Sequence, residues 1–306
     1  MTIEIVPFSE CEPLLSWQGL MAALEAGHKL ARGDIADTLL YRGDDTLLSR
    51  SAWIDGLGIA VKSATIFPGN ATVGKPTVNG GVSLYSDVDG SLEAVVDFHL
   101  VTKWKTAGDS LLAASKLARK DSKNILIVGA GTVAHTLVQA YRALFPTAEI
   151  AVWSRTKTSA QALADTNSGI QVITDLETGV RSADIVTSAT MATAPLIKGE
   201  WLQPGQHIDL IGAYRPDMRE ADDLALTRSR IFVDSRETTL DHIGELKTPL
   251  ETGAITRDSV VADFYNIGSG TFQRNSDDEI TLFKNGGGAH LDLMTSRYIL
   301  DAWRAR

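Results

Sequence analysis

The feature that most constrains the fold is a glycine-rich turn between an apolar run and a helical stretch. The apolar residues 125–128 lead directly into 129–134, which read G-A-G-T-V-A and match the pattern G-x-G-x-x-G/A. The first glycine permits a tight turn, the second lets an anion approach the main chain, and the small last residue lets the helix pack closely on the strand. The helix N-terminus then favours a pyrophosphate, although a tight turn in another α/β protein would look similar. The dinucleotide-binding residues predicted here are Gly129, Gly131, Thr132 and Val133.

Apolar runs alternate with helical stretches from residue 124 onward. The runs ILIV, EIAVW, QVI, ADIVTSAT, HIDLIGAY and RIFVDS follow one another, and segments with helical spacing separate them. Alternation at this spacing implies right-handed βαβ crossovers and a parallel sheet. We therefore predict an α/β fold in which a Rossmann domain with a doubly wound parallel sheet spans residues 119–290.

The segment before this domain has a different pattern of predicted secondary structure. Short β-type runs between residues 46 and 98 are separated by the turn signals P-G-N, N-G-G and D-G, which indicates an antiparallel or mixed sheet. The helices predicted outside the Rossmann pattern are 17–32 with Ser16 as N-cap, 102–119 and 291–306. We expect the last of them to pack on the N-terminal part of the chain. The Rossmann domain is then an insertion into a smaller α+β domain formed by 1–118 and 291–306.

Composition and charge restrict the partners of this chain. Its 306 residues are 44% hydrophobic, enough for two cores, and its net charge of −9 disfavours nucleic acid and membrane surfaces. Cys11 is the only cysteine, so neither an internal disulfide nor a thiol-rich metal site can form. The six histidines lack metal-ligand spacing, and we predict no metal site. The N-terminus lacks a signal-peptide pattern and no run of apolar residues could span a bilayer, so we expect a cytoplasmic protein.

The end of the second strand of the Rossmann pattern distinguishes two cofactors. NAD sites usually place a carboxylate there, which binds the ribose hydroxyls and repels a 2′-phosphate. This chain has Ser154, Arg155 and Thr156 instead, and two hydroxyls with a guanidinium suit a phosphate. We predict NADP(H), with NAD(H) as a second cofactor; the alternative is that Arg155 is a solvated surface residue. Because ligands bind at the carboxyl ends of such strands, three small residues are predicted beneath the nicotinamide ribose: Ser188, Ala189 and Thr190.

Six segments in the same order resemble one known family. They are GIAVKSATIFPGN from residue 58, DGSLEAVVD from 89, LVTKWKTA from 100, VGAGTVA from 128, HIDLIGAYRPDMRE from 207 and LFKNGGGAHLD from 282. Each motif is modest alone, but together they resemble the ornithine cyclodeaminase and μ-crystallin family over nearly the whole chain. The resemblance implies an NAD(P)-dependent enzyme that acts on cyclic imino acids or α-amino acids. It also implies a homodimer, and we expect the sheet of the N-terminal domain to form its interface.

The resemblance also implies which residues bind substrate. Lys62 and Lys105 would face the substrate carboxylate, with an upstream arginine helping, because a small carboxylate needs two or three cations for a fixed orientation. Arg42 is our choice for that arginine, and Arg50 is the alternative. Thr106, beside Lys105 in the same motif, completes the predicted substrate-binding set. Without the resemblance, we would interpret Lys62 as an ordinary strand lysine whose methylene groups cover apolar surface.

Three departures from the family pattern bear on the reaction. Lys105 stands where many members have arginine, Tyr214 stands where cyclodeaminases have an aspartate, and no acidic residue precedes Lys62 in L-S-R-S-A-W. A phenol with a pKa of about 10 is a poor base near neutrality, so these departures argue against ornithine cyclodeamination. We predict that Tyr214 supplies or relays a proton, or else shapes the pocket. Asp292 is predicted to orient a cation or to bond near the nicotinamide; alternatively, it is an acid favoured by a helix N-terminus.

The remaining residues suffice for a simpler reaction. Reducing a cyclic ketimine needs a hydride donor, a carboxylate anchor and one proton at nitrogen. We therefore expect NADPH-dependent reduction of Δ1-pyrroline-2-carboxylate to L-proline and of Δ1-piperideine-2-carboxylate to L-pipecolate. The alternatives are an ornithine or lysine cyclodeaminase, an amino-acid dehydrogenase, and a non-catalytic NADPH-binding protein of the crystallin type.

Overall fold

The computed structural model describes residues 2–306. By its internal contacts the chain divides into a first unit, formed by the residues up to Lys105 together with Gly288–Arg306, and a second unit, Thr106–Gly287. In the sequence we placed these divisions at 118/119 and 290/291. The first division differs because it falls inside a continuous helix, Phe98–Leu117, rather than after that helix ends.

The elements in chain order are as follows. The first group comprises β1 (Glu4–Val6), α1 (Phe8–Cys11), α2 (Trp17–Gly27), β2 (Asp34–Arg42), β3 (Asp45–Ile54), β4 (Gly58–Ile66), β5 (Val78–Tyr85), β6 (Leu92–Asp97) and α3 (Phe98–Leu117). The second group comprises β7 (Asn124–Val128), α4 (Thr132–Leu144), β8 (Glu149–Trp153), α5 (Lys157–Thr166), β9 (Ile170–Val172), α6 (Leu176–Ser182), β10 (Ile185–Ser188), β11 (His207–Leu210), α7 (Asp223–Thr227), β12 (Arg230–Val233), α8 (Arg236–Thr239), α9 (Gly244–Thr252), β13 (Val260–Ala262), β14 (Thr281–Lys284) and α10 (Ala289–Arg304).

The first unit is built on a six-stranded mixed sheet. Its strand order is β1-β6-β5-β4-β3-β2, in which β1 pairs with β6 in parallel and the other neighbours are antiparallel. Residues two apart on a strand share a face, and in β4 the buried face carries Gly58, Ala60, Lys62 and Ala64. The terminal helix α10 packs against β3, β4 and α2. Lys62 therefore occupies a position on the buried face of β4, a strand against which α10 packs.

Two details of this unit differ from the sequence predictions. Helix α2 begins as predicted, since the Ser16 hydroxyl accepts from the N–H of Gly19, but it ends at Gly27 rather than near residue 32. Strand β2 was not predicted at all. Nearly every residue of β2 is exposed, so its sequence lacks the alternation of apolar and polar residues that marks a half-buried strand.

The second unit is the predicted Rossmann domain. Its eight-stranded sheet has the order β13-β12-β14-β11-β10-β7-β8-β9, and every neighbouring pair is parallel. The helices cover buried strands, so the central strands are near-continuous apolar runs. Strands β13 and β14, of three and four residues, are absent from the prediction. Among residues 2–306 no helix is both long and apolar enough to cross a bilayer.

Candidate functional site

The glycine-rich turn follows β7 in the conformation the motif requires. Gly129 has a φ of 112°, which favours glycine, and a Cβ there would lie 2.7 Å from the carbonyl oxygen of Ala189. Its N–H donates to the carbonyl of Trp153 at 2.8 Å, which ties the turn to the end of β8. Gly131 is the N-cap of α4, and Ala134 is fully buried against the sheet. The turn thus presents the N-terminus of a thirteen-residue helix at the carboxyl edge of the parallel strands.

The space in front of this turn can hold a dinucleotide. A Cβ added at Gly131 would meet no atom within 4 Å, so the main chain there is open to a ligand. A cavity of about 440 Å³ extends from the turn. Seven of the predicted cofactor residues line it: Gly129, Gly131, Ser154, Arg155, Thr156, Ala189 and Thr190. The open backbone and the free donors of the helix fit the pyrophosphate of NAD(P).

Three predicted cofactor residues do not line this cavity. Thr132 and Val133 lie in the first turn of α4, where Thr132 is exposed and Val133 half-buried. Ser188 is fully buried, and its hydroxyl donates to Glu220 instead of facing the cavity. The cavity also includes residues 191–194, which were not predicted because the segment M-A-T-A carries no motif. That this segment lines the cavity can be seen only from its position in the fold, directly after β10.

The end of the cavity beside β8 carries positive charge. Arg155 is exposed and, within residues 2–306, it has no salt-bridge partner, and none of the residues that line the cavity is acidic. Thr156 is the N-cap of α5, and Lys157 is its first residue. A cation without a carboxylate partner, beside a helix N-terminus, favours an anionic group at this end.

A buried charge cluster lies in the first unit around Lys62. The side chain of Lys62 is 7% exposed, and its Nζ donates to Thr102 Oγ1 and to Asp292 Oδ1, each at 2.9 Å. The ammonium also lies 4.8 Å from the centre of the Phe98 ring. Burial lowers the pKa of Lys62, the nearby Asp292 carboxylate opposes that change, and the neighbouring cation Lys105 adds to it. Lys62 is therefore a desolvated cation that depends on Asp292.

Asp292 has one oxygen committed and one oxygen open. It lies in the first turn of α10 with 1% exposure. Oδ1 accepts from Lys62, whereas Oδ2 has no hydrogen-bond partner among residues 2–306, and Arg50 Nη1 lies 3.9 Å from it. Burial alone would raise the pKa of Asp292, but Lys62, Lys105 and Arg50 hold it below its usual value. A buried carboxylate oxygen without a donor is a place where a ligand donor is expected.

The upstream arginine in this cluster is Arg50 rather than Arg42. Arg50 stands directly opposite Lys62 in the register of β3 and β4, so both side chains lie on the same face of the sheet. Arg42 ends the edge strand β2, its side chain is 80% exposed, and it pairs with Asp45. The structure does not bring Arg42 to the cluster, because spacing along the chain does not show which of two strand residues faces the core.

The remaining predicted substrate residues are distributed over both units. Lys105 is buried on α3, one turn from Thr102, and contributes charge to the cluster. Thr106 begins the second unit, where its carbonyl accepts from Asn285. Tyr214 follows β11, is 56% exposed, and has its ring 5.6 Å from the guanidinium of Arg215.

Two members of the Lys62 cluster were not predicted. Phe98 and Thr102 are four residues apart on α3, so they share a face of the helix, and both contact the Lys62 ammonium. The signal was available, since a ring at Phe98 and a hydroxyl at Thr102 are one helical turn apart, next to and within the motif that begins at residue 100. Among residues 2–306 no group of three or more His, Cys, Asp or Glu side chains could hold a metal ion.

Comparison with known proteins shows the family to which this chain belongs. Residues 54–306 match the family model described as "Ornithine cyclodeaminase/mu-crystallin family". The chain belongs to this family. A protein named Delta(1)-pyrroline-2-carboxylate reductase from Paracoccus denitrificans (strain Pd 1222) is 51% identical over 302 residues, which are 97% of this chain and 96% of that protein. The predicted resemblance and the α/β fold are therefore confirmed.

Two solved structures have the same fold over their full length. Thermococcus litoralis Delta(1)-pyrroline-2-carboxylate reductase, solved with NADH and L-proline, has a TM-score of 0.90 and 26% identity, covering 99% of this chain and 98% of that one. An archaeal alanine dehydrogenase dimer with bound NAD has a TM-score of 0.90 and 28% identity, covering 100% of this chain and 97% of that one. Both units of the chain thus have counterparts in single solved proteins.

Proposed function

We propose that the protein is an NADPH-dependent reductase of cyclic ketimines. Its substrates are Δ1-pyrroline-2-carboxylate, reduced to L-proline, and Δ1-piperideine-2-carboxylate, reduced to L-pipecolate. The observation that carries this proposal is the Lys62–Asp292 pair, which offers a buried cation beside a buried carboxylate oxygen that lacks a donor. The 51% identity to a Delta(1)-pyrroline-2-carboxylate reductase over almost the whole chain supports the same substrate class.

The cations of the cluster suit the carboxylate of the substrate. The Lys62 ammonium has three donors, and Thr102 and Asp292 accept two of them, which leaves one for a ligand. Arg50 and Lys105 add positive charge close to it. Arg50 also pairs with Asp37 at 2.6 Å, so the three cations meet two carboxylates, and the remaining positive charge attracts one more anion.

Asp292 Oδ2 suits the nitrogen of the same substrate. In a cyclic ketimine acid the ring nitrogen and the carboxylate are attached to one carbon, so a binding site needs a cation and an acceptor side by side. When the imine is protonated, its N–H can donate to Oδ2, and the iminium charge is then balanced by the carboxylate. A bound nicotinamide would supply the hydride for the carbon of the C=N bond. The nitrogen would take the π electron pair, keep its proton and become a secondary amine.

Tyr214 is proposed as a secondary participant. A substrate that binds as an iminium already carries its proton, so the reduction itself requires no strong acid. If the neutral imine binds instead, the half-exposed phenol of Tyr214 donates or relays the missing proton; otherwise it shapes the pocket. The absence of a carboxylate at this position disfavours the cyclodeaminase alternative, which needs a base near neutrality.

NADPH is proposed as the preferred cofactor, with NADH as the second. Arg155 lines the cavity without an acidic partner among the described residues, and Ser154 and Thr156 flank it with hydroxyls. A 2′-phosphate would meet a guanidinium and the N-terminus of α5 there. The relative from Thermococcus litoralis was solved with NADH, so use of NADH by this chain is also expected.

We further propose a cytoplasmic homodimer. Strand β2 is an exposed edge of the mixed sheet, and Leu39, Leu40 and Tyr41 on it are between 46% and 70% exposed. A long, apolar, unpaired edge is a surface that a second copy can cover. The dimeric state of the archaeal relative supports this assembly. The single, buried cysteine suits a reducing compartment.

The decisive experiment compares imine reduction with ammonia release. NADPH oxidation is followed with each of the two cyclic ketimines, and L-ornithine is assayed separately for ammonia. Oxidation with the imines and no ammonia from ornithine supports the reductase. Ammonia release without imine reduction overturns it in favour of a cyclodeaminase, and NADPH binding without either reaction favours a non-catalytic binding protein.

A further inference from the structure

One buried carboxylate accepts hydrogen bonds from the ends of two strands beside the dinucleotide cavity. Glu220 lies in the segment after β11 and is fully buried. Its Oε1 accepts from Ser188 Oγ at 2.6 Å, from Thr190 N at 2.8 Å and from Thr190 Oγ1 at 2.7 Å. Its Oε2 accepts from the backbone N–H of Gly212 at 2.6 Å and of Ala213 at 3.3 Å. Five donors converge on one side chain, which only an acceptor with two oxygens can satisfy.

The donors belong to the two turns that leave β10 and β11. Thr190 lines the dinucleotide cavity, and the carbonyl of its neighbour Ala189 lies against Gly129 of the glycine-rich turn. The two turns are packed so closely that a Cβ at Gly212 would lie 2.0 Å from the carbonyl oxygen of Thr190. The shape of this cavity wall therefore depends on how the two turns are held together.

Glu220 is itself held in place by a second carboxylate. The fully buried Glu245 accepts from the backbone N–H of Glu220 at 2.7 Å and of Ala221 at 3.0 Å. The carbonyl of Glu220 accepts from the N–H groups of Leu196 and Ile197, both at 2.9 Å. Hydrogen bonds fix both the side chain and the main chain of Glu220. Its carboxylate therefore holds the two turns of the cavity wall in a fixed position.

We propose that Glu220 is a positioning residue for the nicotinamide half of the dinucleotide. It holds the 188–190 and 212–213 turns in the conformation that receives that half, and it does not touch the cofactor. The adenosine half contacts the end of β8, at Ser154 and Arg155, which Glu220 does not reach. The proposal rests on dinucleotide binding in this cavity, as stated under the proposed function.

The test compares a whole cofactor with its adenosine fragment. Glu220→Gln replaces one acceptor oxygen by an amide that cannot accept from Gly212 and Ala213. With two of the five hydrogen bonds lost, we expect the Kd for NADPH to rise about tenfold or more. The Kd for 2′,5′-ADP, measured by calorimetry on the same preparation, should stay within about twofold of wild type.

Asp184 provides a matched control at the other end of β10. Its carboxylate accepts from Arg119 Nη2 at 2.9 Å and from the backbone N–H groups of Lys123 and Asn124 at 2.8 and 2.9 Å. Asp184→Asn therefore disturbs a carboxylate with several donors in the same sheet but away from the cavity. We expect it to lower Tm while leaving both Kd values unchanged. A milder variant, Ser188→Ala, removes one donor of Glu220 and should weaken NADPH binding in the same direction by a smaller factor.

Each outcome supports or overturns the proposal. If Glu220→Gln binds NADPH like wild type, Glu220 does not position the cofactor. If both Kd values rise equally in Glu220→Gln, or if Asp184→Asn weakens NADPH binding as much, the effect is general destabilisation and the proposal fails. Should Glu220→Gln not fold, Ser188→Ala decides by the same comparison. Failure of wild-type protein to bind NADPH or NADH would instead refute the proposed function.

Discussion

Lys62 and Asp292 lie 230 residues apart in the chain, yet their side chains form a buried hydrogen bond of 2.9 Å. The bond joins the middle of β4 to the first turn of α10 within one unit. Each group compensates the burial of the other, because a desolvated ammonium or carboxylate is costly unless it is paired. The hydrogen bond uses Asp292 Oδ1, so Oδ2 is the oxygen that remains available for chemistry.

Asp292→Asn should shift the pH dependence of the reaction. Asp292 opposes the lowering of the pKa of Lys62, so removing its charge lowers that pKa further. If Lys62 must be cationic to bind substrate, kcat/KM is lost as pH rises through the pKa of Lys62, and this alkaline limb moves to lower pH in the variant. The measurement is a profile of kcat/KM for Δ1-pyrroline-2-carboxylate from neutral to alkaline pH. An alkaline limb at the wild-type position would mean that Lys62 does not control binding.

Arg50→Met and Arg42→Met separate the two candidate arginines. Arg50 faces the cluster and Arg42 is exposed at the edge of the sheet. Loss of one charge-assisted hydrogen bond costs roughly 1.5–3 kcal/mol, so Arg50→Met should raise the KM for the imine at least tenfold. Arg42→Met should leave the KM unchanged, and its exposed ion pair with Asp45 contributes little to stability. Equal effects of the two substitutions on KM would contradict this assignment.

Arg155→Asp should reverse the cofactor preference. The substitution removes the guanidinium that lines the cavity and places a carboxylate near the 2′-position, which repels a phosphate and can accept from ribose hydroxyls. We expect the ratio of kcat/KM for NADPH to that for NADH to fall about a hundredfold, from steady-state assays with saturating imine. Lys120→Asp, the same charge change at an exposed residue away from the cavity, is the control and should leave the ratio unchanged.

His207→Gln should make the protein more resistant to acid. His207 is fully buried at the start of β11, and burial, with a smaller contribution from Arg274, lowers its pKa to about 3. The unfolded state takes up a proton near pH 6.5 and the folded state only near 3, so wild-type stability falls as pH falls through that window. Near pH 4 the variant should avoid a loss on the order of 3 kcal/mol, as measured by urea unfolding. The exposed His99→Gln is the control and should unfold like wild type at both acid and neutral pH.

The Rossmann unit was predicted well because each of its signals lies within a short run of consecutive residues. The turn at 129–134, the strand before it and the helix after it can be recognised from consecutive residues, and they match β7 and α4. Strand β14 was missed although it lies in the middle of the sheet, between β11 and β12. Its four residues are all buried, so they do not alternate between apolar and polar as the residues of a half-buried strand do. They also follow a long irregular segment, and no pattern in the sequence identifies them as a strand.

The charge cluster was predicted only in part because it depends on contacts between distant segments. The family resemblance implied Lys62 and Lys105, and Asp292 was predicted to orient a cation or to bond near the nicotinamide, but no spacing in the sequence places Asp292 against Lys62. The choice between Arg42 and Arg50 required the register of β3 against β4, which sets Arg50 opposite Lys62, and the position of Arg42 at the end of β2, a strand that was not recognised. Glu220 was also missed because its contacts are with distant segments, since its five donors come from the ends of β10 and β11 and the turns that follow them.

The alternation of faces along β4 also limits how this chain can change length. Lys62 faces inward because it is four residues from Gly58, where a φ of 92° closes the short turn from β3, and any side chain there would meet the carbonyl of Tyr85. An insertion or deletion of one residue at that turn would rotate the lysine to the opposite face and exchange it for Val61 or Ser63. A one-residue change in the length of this turn would therefore abolish activity although every residue of the Lys62 cluster is still present in the chain.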